Sequence, residues 1–207
     1  RTPDVEKMQT FEEFVDAYKT QMNYFIELLV NADNAIDQAH AERMPLPYLA
    51  SMVDDCIKRG KPCESGGCIY NFTGPQGFGI ANVADALYAI KKLVFEEKKV
   101  TMAEYKKALM FNYGQEVNAL VVSQVAGNVT RKLAEQGVQP TPDMVARATQ
   151  EVIKNSVTSE DKKRFDELLQ MIEEVDKFGN DEDEVDQLAR EVAYTYTRPL
   201  LQYRNPR

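Results

Sequence analysis

The sequence predicts a mostly α-helical segment that carries one β-strand and a Gly-rich loop and belongs to a larger α/β protein. Apolar residues recur at helical spacing along most of the chain. One run, residues 68–72, has the composition of a short strand. Five glycines and one proline fall within the glycine-rich stretch, residues 63–79. Because a lone strand cannot satisfy its own backbone hydrogen bonds, we expect it to pair with polypeptide outside this segment.

The first predicted helix covers about residues 10–40. Thr10 and Glu13 form a capping-box pattern at its start. Pro45 and Pro47 interrupt the helical pattern. A shorter helix then runs to Gly60, because a glycine at this place is a typical C-terminal stop.

Helical signals resume after the glycine-rich stretch and continue to the end of the chain. Thr101 with Glu104 predicts another capped helix. Thr141 with Pro142 predicts an N-cap followed by proline at the first helical position. The acidic run at residues 180–184 predicts a solvated helix start, since negative charge is favourable at the positive end of a helix dipole.

The charge of the chain argues against several classes of function. Among 207 residues, 25 are Lys or Arg and 33 are Asp or Glu, which gives a formal net charge of −8. We find no dense basic cluster of the kind that nucleic-acid binding requires. The same balance disfavours an anionic membrane surface. No apolar run approaches the roughly 18 residues of a membrane span. The sequence therefore predicts neither nucleic acid nor membrane as a partner.

Three cysteines, Cys56, Cys63 and Cys68, lie close together in the sequence. An odd and small number of cysteines favours reduced thiols and a cytoplasmic protein. Their C-x6-C-x4-C spacing fits no zinc or iron–sulfur pattern, so we predict no metal site. A nucleophilic role is also disfavoured, because the single histidine, His40, lies on a predicted helix and no base adjoins the thiols.

The segment G-P-Q-G-F-G at residues 74–79 invites comparison with nucleotide-binding loops. It is not G-x-G-x-x-G, because Gln76 replaces the second glycine of that pattern. It is not a P-loop, because Ile80 and Ala81 stand where Lys and Ser or Thr are required. The sequence predicts a structural or substrate-facing turn, in which glycines allow close approach of the backbone.

Two ordered motifs carry a family resemblance. They are P-L-P-Y-L-A-S-M-V-D-D-C-I at residues 45–57 and G-G-C-I-Y-N-F-T-G-P-Q-G at residues 66–77. Both resemble the glycyl radical enzymes, in the branch of glycerol and diol dehydratases and choline trimethylamine-lyase. The likeness covers nearly the whole chain and continues in residues 81–92, 177–181, 194–199 and 205–207.

The resemblance implies that residues 1–207 are an internal part of a pyruvate formate-lyase-like domain, within the ten-stranded α/β barrel of glycyl radical enzymes. The family carries a thiyl-forming cysteine in a G-C-[VI]-E loop and a radical-storing glycine in an R-V-x-G loop, and neither pattern occurs here. We expect these loops upstream of Arg1 and downstream of Arg207. The segment would then hold no catalytic residue and be inert alone. It would bind no cofactor, since the glycyl radical lies elsewhere and is installed by an S-adenosylmethionine-dependent activase.

Four residues are candidates for facing the barrel interior and binding substrate. Strand alternation places Tyr70 and Phe72 on one face and Asn71 on the other. Thr73 and Gln76 offer hydrogen bonds to a substrate or to the radical loops. The alternative is that these residues only hold the turn and pack the barrel.

Within the family, the sequence favours choline trimethylamine-lyase, which cleaves a C–N bond to give trimethylamine and acetaldehyde. The reason is a helical insertion at about residues 115–158, which is similar to choline lyases and absent from the shorter dehydratase pattern. Glycerol or propanediol dehydratase and isethionate sulfite-lyase are the alternatives in the same family. A non-catalytic helical interaction module is the alternative from another class.

The resemblance also implies a set of partners and a place in the cell. The substrate would be a small molecule, either choline or a diol, used in anaerobic metabolism. The macromolecular partners would be the radical S-adenosylmethionine activating enzyme and a second copy in a homodimer. The protein would lie in the cytoplasm or within a bacterial microcompartment.

Overall fold

The computed structural model describes residues 2–115, 117 and 119–207. Within these residues the backbone forms nine α-helices and no β-strand. The helices are α1 (Phe11–Arg43), α2 (Pro47–Met52), α3 (Cys56–Arg59), α4 (Ile80–Ile90), α5 (Met102–Met110), α6 (Ala119–Glu135), α7 (Pro142–Ser156), α8 (Ser159–Glu174) and α9 (Asp183–Leu200). A π-helical turn, Lys91–Glu96, continues α4, and 3-10 turns occupy Val5–Lys7, Cys63–Ser65 and Asn112–Gly114.

The predicted strand at residues 68–72 is wrong, because this part of the chain has no regular secondary structure. Side chains take the place of a neighbouring strand. The carbonyl oxygen of Cys68 accepts hydrogen bonds from Arg59 Nη1 at 3.1 Å and from Asn71 Nδ2 at 2.8 Å. The carbonyl oxygen of Asn71 accepts one from Asn205 Nδ2 at 2.8 Å. Backbone groups need a hydrogen-bond partner but not a neighbouring strand. Side chains of this chain supply these bonds, which explains why the sequence offers no second strand.

The chain divides into two compact units, and the first holds the glycine-rich stretch. It comprises the residues up to Leu87 and those from Lys177 onward. Helices α1 and α9 pack together in it, and they bury Ile26 of α1 and Val185 of α9. Burying an aliphatic side chain of this size stabilises the fold by about 1.5–3 kcal/mol. The pairing of α1 with α9 therefore forms a large part of this unit's core.

The second unit extends from Tyr88 to Asp176 and contains α5 to α8. Helices α6 and α7 pack together, and α8 packs against the turn Asn112–Gly114. The core includes Phe165 and Leu168 of α8, both almost fully buried. An ion pair between Lys107 Nζ and Asp161 Oδ1 at 2.7 Å joins α5 to α8.

Several predicted helix ends are confirmed by their hydrogen bonds. The full capping box at Thr101 and Glu104 is present, and Thr141 caps α7 with Pro142 at its first position. Thr10 accepts a hydrogen bond from Glu13 N at 3.2 Å, but the Glu13 carboxylate turns to the backbone of Gln9 instead of Thr10. Local polar patterns therefore located these ends without tertiary information.

Large apolar side chains remain exposed on the first unit. Phe78 is 86% exposed and Leu201 is 85% exposed. Exposed apolar patches are typical of surfaces that contact other polypeptide or a ligand. They favour the prediction that this segment lies inside a larger protein, and the barrel itself stays a prediction.

The predicted helical insertion covers residues 115–158, of which 116 and 118 lie outside the described residues. Its status as an insertion stays a prediction.

Among the described residues, none of the helices combines the length and apolar character that crossing a bilayer requires.

Replacing the N-cap of α8, Thr158→Ala, should destabilise the start of that helix by about 1 kcal/mol. The reason is that Thr158 Oγ1 accepts a hydrogen bond from Asp161 N at 3.1 Å. Hydrogen exchange in the intact protein should then be about five-fold faster in the first turn of α8. Thr130→Ala is the control, because among the residues that the structure describes its exposed hydroxyl bonds only to Ala126 O within α6. Equal exchange in both variants would contradict this account.

Candidate functional site

The candidate site is built around a buried carboxylate on α1. Asp37 is only 6% exposed. Its Oδ2 accepts a hydrogen bond from Thr73 Oγ1 at 2.7 Å, and its Oδ1 accepts one from Arg207 Nη2. The carboxylate thus fixes residues 70–78, which we term the site loop, to α1 and to the C-terminal segment. A charge-assisted pair with a second donor is among the stronger polar contacts a protein makes.

Two opposing effects set the charge of Asp37. Burial alone would raise the pKa of the Asp37 carboxyl, but the hydrogen bonds from Arg207 and Thr73 outweigh it and hold that pKa below its usual value. The carboxylate is therefore ionised at neutral pH. It acts here as a fixed negative anchor and not as a proton donor.

The C-terminal segment forms a second wall against the site loop. Asn205 Nδ2 donates to Asn71 O at 2.8 Å, and Asn34 Nδ2 of α1 donates to Arg204 O at 3.3 Å. A cavity of about 340 Å³ lies between α1, the site loop and this segment. Its lining residues are Val30, Asp33, Asn34, Asn71, Phe72, Thr73, Gly74, Pro75, Leu200, Tyr203, Arg204 and Asn205. A small polar molecule would meet amide, hydroxyl and carboxylate groups here.

Three buried polar atoms around the site have no hydrogen-bond partner among the described residues. They are Asn71 Oδ1, Tyr196 OH and Arg207 Nε. Burial, followed by the negative charge of Asp33, raises the pKa of Tyr196. Buried polar groups are nearly always paired, but these atoms are closed off from solvent, so a bound molecule would reach them only if neighbouring groups moved.

A glycine allows the site loop to approach α9. A Cβ placed on Gly77 would lie 2.8 Å from Cδ1 of the Tyr196 ring. That is closer than non-bonded carbon atoms approach each other. An alanine at this position would therefore push the Tyr196 ring or the loop aside.

The structure places the four predicted site residues differently from one another. Tyr70 and Phe72 lie on the same side, with their rings stacked at 6.2 Å between centroids, and both are exposed. Thr73 lies in the polar cluster with Asp37. The Gln76 side chain is exposed and lies outside that cluster. Their role in substrate binding stays a prediction.

Sequence reasoning missed Asp37, Tyr196 and Arg207 as members of the site. Asp37 lies 36 residues from Thr73 and 170 residues from Arg207. Tyr196 and Arg207 could have been selected, because they lie in residues 194–199 and 205–207, which carry part of the family resemblance. No such signal singled out Asp37, since a carboxylate on a predicted helix is normally solvated.

Two thiols beside the site loop have raised pKa values. Burial raises the pKa of Cys56. The hydrogen bond with Cys68, followed by burial, raises the pKa of the Cys63 thiol to about 12. That these thiols are not nucleophiles stays a prediction. They do, however, belong to the one group of three or more metal-ligand side chains found among the described residues.

Comparison with protein families gives a match to the pyruvate formate lyase-like family over residues 1–207. Among curated proteins, the chain is 39% identical over 112 residues to trans-4-hydroxy-L-proline dehydratase of Clostridioides difficile, which covers 54% of this chain and 14% of that protein. It is 36% identical over 116 residues to isethionate sulfite-lyase of Nitratidesulfovibrio vulgaris, a match that covers 54% of this chain and 14% of that protein. The chain thus spans about one seventh of these relatives.

Solved structures cover the chain more completely. A structure concerned with 1,2-propanediol dehydration in Roseburia inulinivorans has 55% sequence identity, a TM-score of 0.88 and coverage of 99% of this chain and 24% of that one. The glycerol-bound, B12-independent glycerol dehydratase from Clostridium butyricum has 41% identity and a TM-score of 0.69, with coverage of 99% and 20%.

Removing the charge of the central carboxylate, Asp37→Asn, should destabilise the site loop by about 2 kcal/mol, because the charge-assisted bond from Arg207 is lost. Hydrogen exchange in residues 70–79 of the intact protein should be about thirty-fold faster. Asp16→Asn on the same helix is the control, since Asp16 pairs with Lys19 at 3.8 Å in an exposed position. Its effect should stay below about 1 kcal/mol.

The same cluster should respond to acid. The pKa of Asp37 is lowered in the folded state, so its stabilising effect is present above the unfolded-state pKa and is lost as pH falls through the lowered value. Protection of residues 70–79, corrected for intrinsic exchange, should fall with acid in the parent protein and change less in Asp37→Asn. Identical pH dependence in the two proteins would show that Asp37 does not hold the loop.

Proposed function

Starting from the fact that this chain belongs to the pyruvate formate lyase-like family and to the glycyl radical enzymes, we propose that it forms part of a dehydratase acting on a small vicinal diol. The observation that carries the proposal is the 55% identity, over 99% of the chain, to the structure concerned with 1,2-propanediol dehydration. The glycerol dehydratase, at 41% identity over the same share, also acts on a vicinal polyol. The reaction would remove water from 1,2-propanediol and leave propionaldehyde.

The polar groups of the site suit such a substrate. A diol carries two hydroxyls, each a hydrogen-bond donor and acceptor. Thr73 donates its proton to Asp37, so its oxygen is left to accept a bond from a substrate hydroxyl. The cavity beside Thr73 is also lined by Asn34 and Asn205, whose amide side chains can donate and accept hydrogen bonds. We propose that the site loop is one wall of the substrate chamber, with Tyr70, Phe72, Thr73 and Gln76 as its substrate-facing residues.

The chain supplies walls in this proposal, and the radical chemistry belongs to other parts of the protein. In the family, a glycyl radical and a cysteine together provide the hydrogen abstraction that starts the elimination. The residues of this chain position the diol and keep water and oxygen away from the reacting carbon. On this account the segment is inert alone, it lies within the proposed barrel, and an S-adenosylmethionine-dependent activase installs the radical in the intact protein.

Choline trimethylamine-lyase is the weaker candidate. Its support was the predicted insertion at 115–158, but the propanediol-related structure covers 99% of this chain. Helices in that stretch therefore do not favour a choline lyase over a diol dehydratase. None of the relatives described above is a choline lyase, and they include two dehydratases and an isethionate sulfite-lyase. The homodimer and the location in the cytoplasm or a microcompartment stay predictions.

An assay of the intact enzyme tests the proposed substrate class. The enzyme would be activated anaerobically by its activase and given 1,2-propanediol, glycerol, choline or isethionate in parallel. We expect propionaldehyde from 1,2-propanediol at a kcat/KM at least ten-fold above that for the other three. Release of trimethylamine from choline, or of sulfite from isethionate, as the fastest reaction would overturn the proposal.

A variant of the site loop tests the role of Thr73. Thr73→Ala removes the hydroxyl and should raise KM for 1,2-propanediol at least ten-fold, while Thr73→Ser should restore it, because serine keeps the oxygen. Thr197→Ala is the control, since its exposed hydroxyl bonds to no described residue except Ala193, through the carbonyl oxygen, within α9. An unchanged KM for 1,2-propanediol in Thr73→Ala would contradict a contact between Thr73 and the bound substrate.

A further inference from the structure

The glycine-rich stretch brings three cysteines into one cluster. Cys56 Sγ lies 3.8 Å from Cys63 Sγ and 3.9 Å from Cys68 Sγ, and all three sulfur atoms lie within 4.8 Å of one another. Cys56 is buried, whereas Cys63 and Cys68 are partly exposed. The three are the whole cysteine content of the chain. They come from α3, from the 3-10 turn Cys63–Ser65 and from the start of the following loop.

The separations agree with those of a tetrahedral thiolate site. Zinc–sulfur bonds are about 2.3 Å long, which places the sulfurs of a tetrahedral site about 3.8 Å apart. Two of the three separations here, 3.8 and 3.9 Å, match that distance. The cluster therefore needs little rearrangement to surround an ion. A disulfide, in contrast, would require two sulfurs to approach to about 2.05 Å and would leave the third cysteine unpaired.

The turn that forms the cluster depends on two adjacent glycines. A Cβ on Gly67 would lie 1.9 Å from the carbonyl oxygen of Lys61, so no other residue fits that backbone. Gly66 has a φ of 79°, a conformation that glycine adopts without strain. The amide of Gly67 donates to Pro62 O at 3.0 Å and closes the turn. The backbone is thus shaped to return Cys68 to Cys56.

We propose that Cys56, Cys63 and Cys68 supply three thiolate ligands to one zinc ion, or another soft divalent ion, and that the bound ion fixes the start of the glycine-rich stretch. Thiolates are the ligands that select such metals. Each thiol releases one proton to solvent as its sulfur binds the ion, and a water molecule completes the tetrahedron at the partly exposed side. The proposal is independent of the substrate class of the enzyme.

A positive side chain lies beside the cluster. Arg59 Nη1 donates to Cys68 O at 3.1 Å, and Asp55 holds the same guanidinium through its Nε at 2.6 Å. The guanidinium thus holds the backbone of Cys68 in place beside the other two thiols. The C-x6-C-x4-C spacing resembles no common zinc pattern. Common patterns place two ligands on either side of a short loop, whereas here the Gly66-Gly67 turn brings Cys68 next to Cys56.

Metal analysis of the intact protein tests the proposal. The protein and three variants, Cys63→Ser, Cys68→Ser and Ser65→Ala, would be purified anaerobically with a reductant, exposed to excess zinc and freed of unbound metal. We expect each cysteine variant to hold about one zinc per chain less than the parent. Ser65→Ala should match the parent, because this exposed residue lies in the same turn and contributes no sulfur. Zinc-edge X-ray absorption should show the loss of a sulfur shell at about 2.3 Å in the cysteine variants.

Two results would overturn the proposal. One is equal zinc content in the parent and in both cysteine variants, with circular dichroism showing that all are folded. The other is alkylation of Cys63 and Cys68 at the same rate with and without zinc. Protection of these cysteines by zinc in the parent, measured by peptide mass spectrometry, supports the site even if a serine variant fails to fold.

Discussion

The ionised carboxylate of Asp37 is the contact on which the arrangement of the site depends. It lies on α1 and receives hydrogen bonds from Thr73 and Arg207, which are far away in sequence. A carboxylate buried without these donors would carry a large desolvation cost. The Asp37 carboxylate and the site loop therefore stabilise each other. Thr73 of the loop donates a hydrogen bond that offsets the desolvation cost of the carboxylate, and the carboxylate holds the loop in place without a β-sheet.

Side-chain hydrogen bonds also hold the backbone at residues 68–72, just before and within the site loop. Arg59 and the side chain of Asn71 satisfy the carbonyl of Cys68, and Asn205 satisfies that of Asn71. Side-chain donors therefore replace a partner strand, while residues 70–73 keep the alternation of an extended chain. Tyr70 and Phe72 are exposed and their rings stack, whereas Asn71 and Thr73 are partly buried. A loop of this kind presents both apolar and polar groups to whatever lies against it.

Much of the helical architecture could be predicted from sequence, because helix ends depend on local polar groups. The capping box at Thr101 and Glu104 and the N-cap at Thr141 are examples. The strand at 68–72 could not be rejected, since its composition is strand-like and the donors that replace a partner strand come from distant or flanking side chains. The cysteine cluster was hidden for a related reason, because only the backbone at Gly67 shows that Cys68 returns to Cys56.

Part of the candidate site was also predictable. The family resemblance and the glycines predict the site loop. The contact of Asp37 with Thr73 and Arg207, in contrast, is visible only in the three-dimensional structure. Long-range polar pairs leave no periodic pattern in a single sequence. The helical pattern at 115–158 does not separate the members of the family, since the same stretch is covered by the structure concerned with propanediol dehydration.

The central claim is that the site loop faces the substrate. A crystal structure of the intact protein with 1,2-propanediol bound tests it most directly. The account predicts a substrate hydroxyl within about 3.2 Å of Thr73 Oγ1, with the Asp37 contacts retained. A diol bound elsewhere, with residues 70–78 covered by other polypeptide and remote from the ligand, would contradict it.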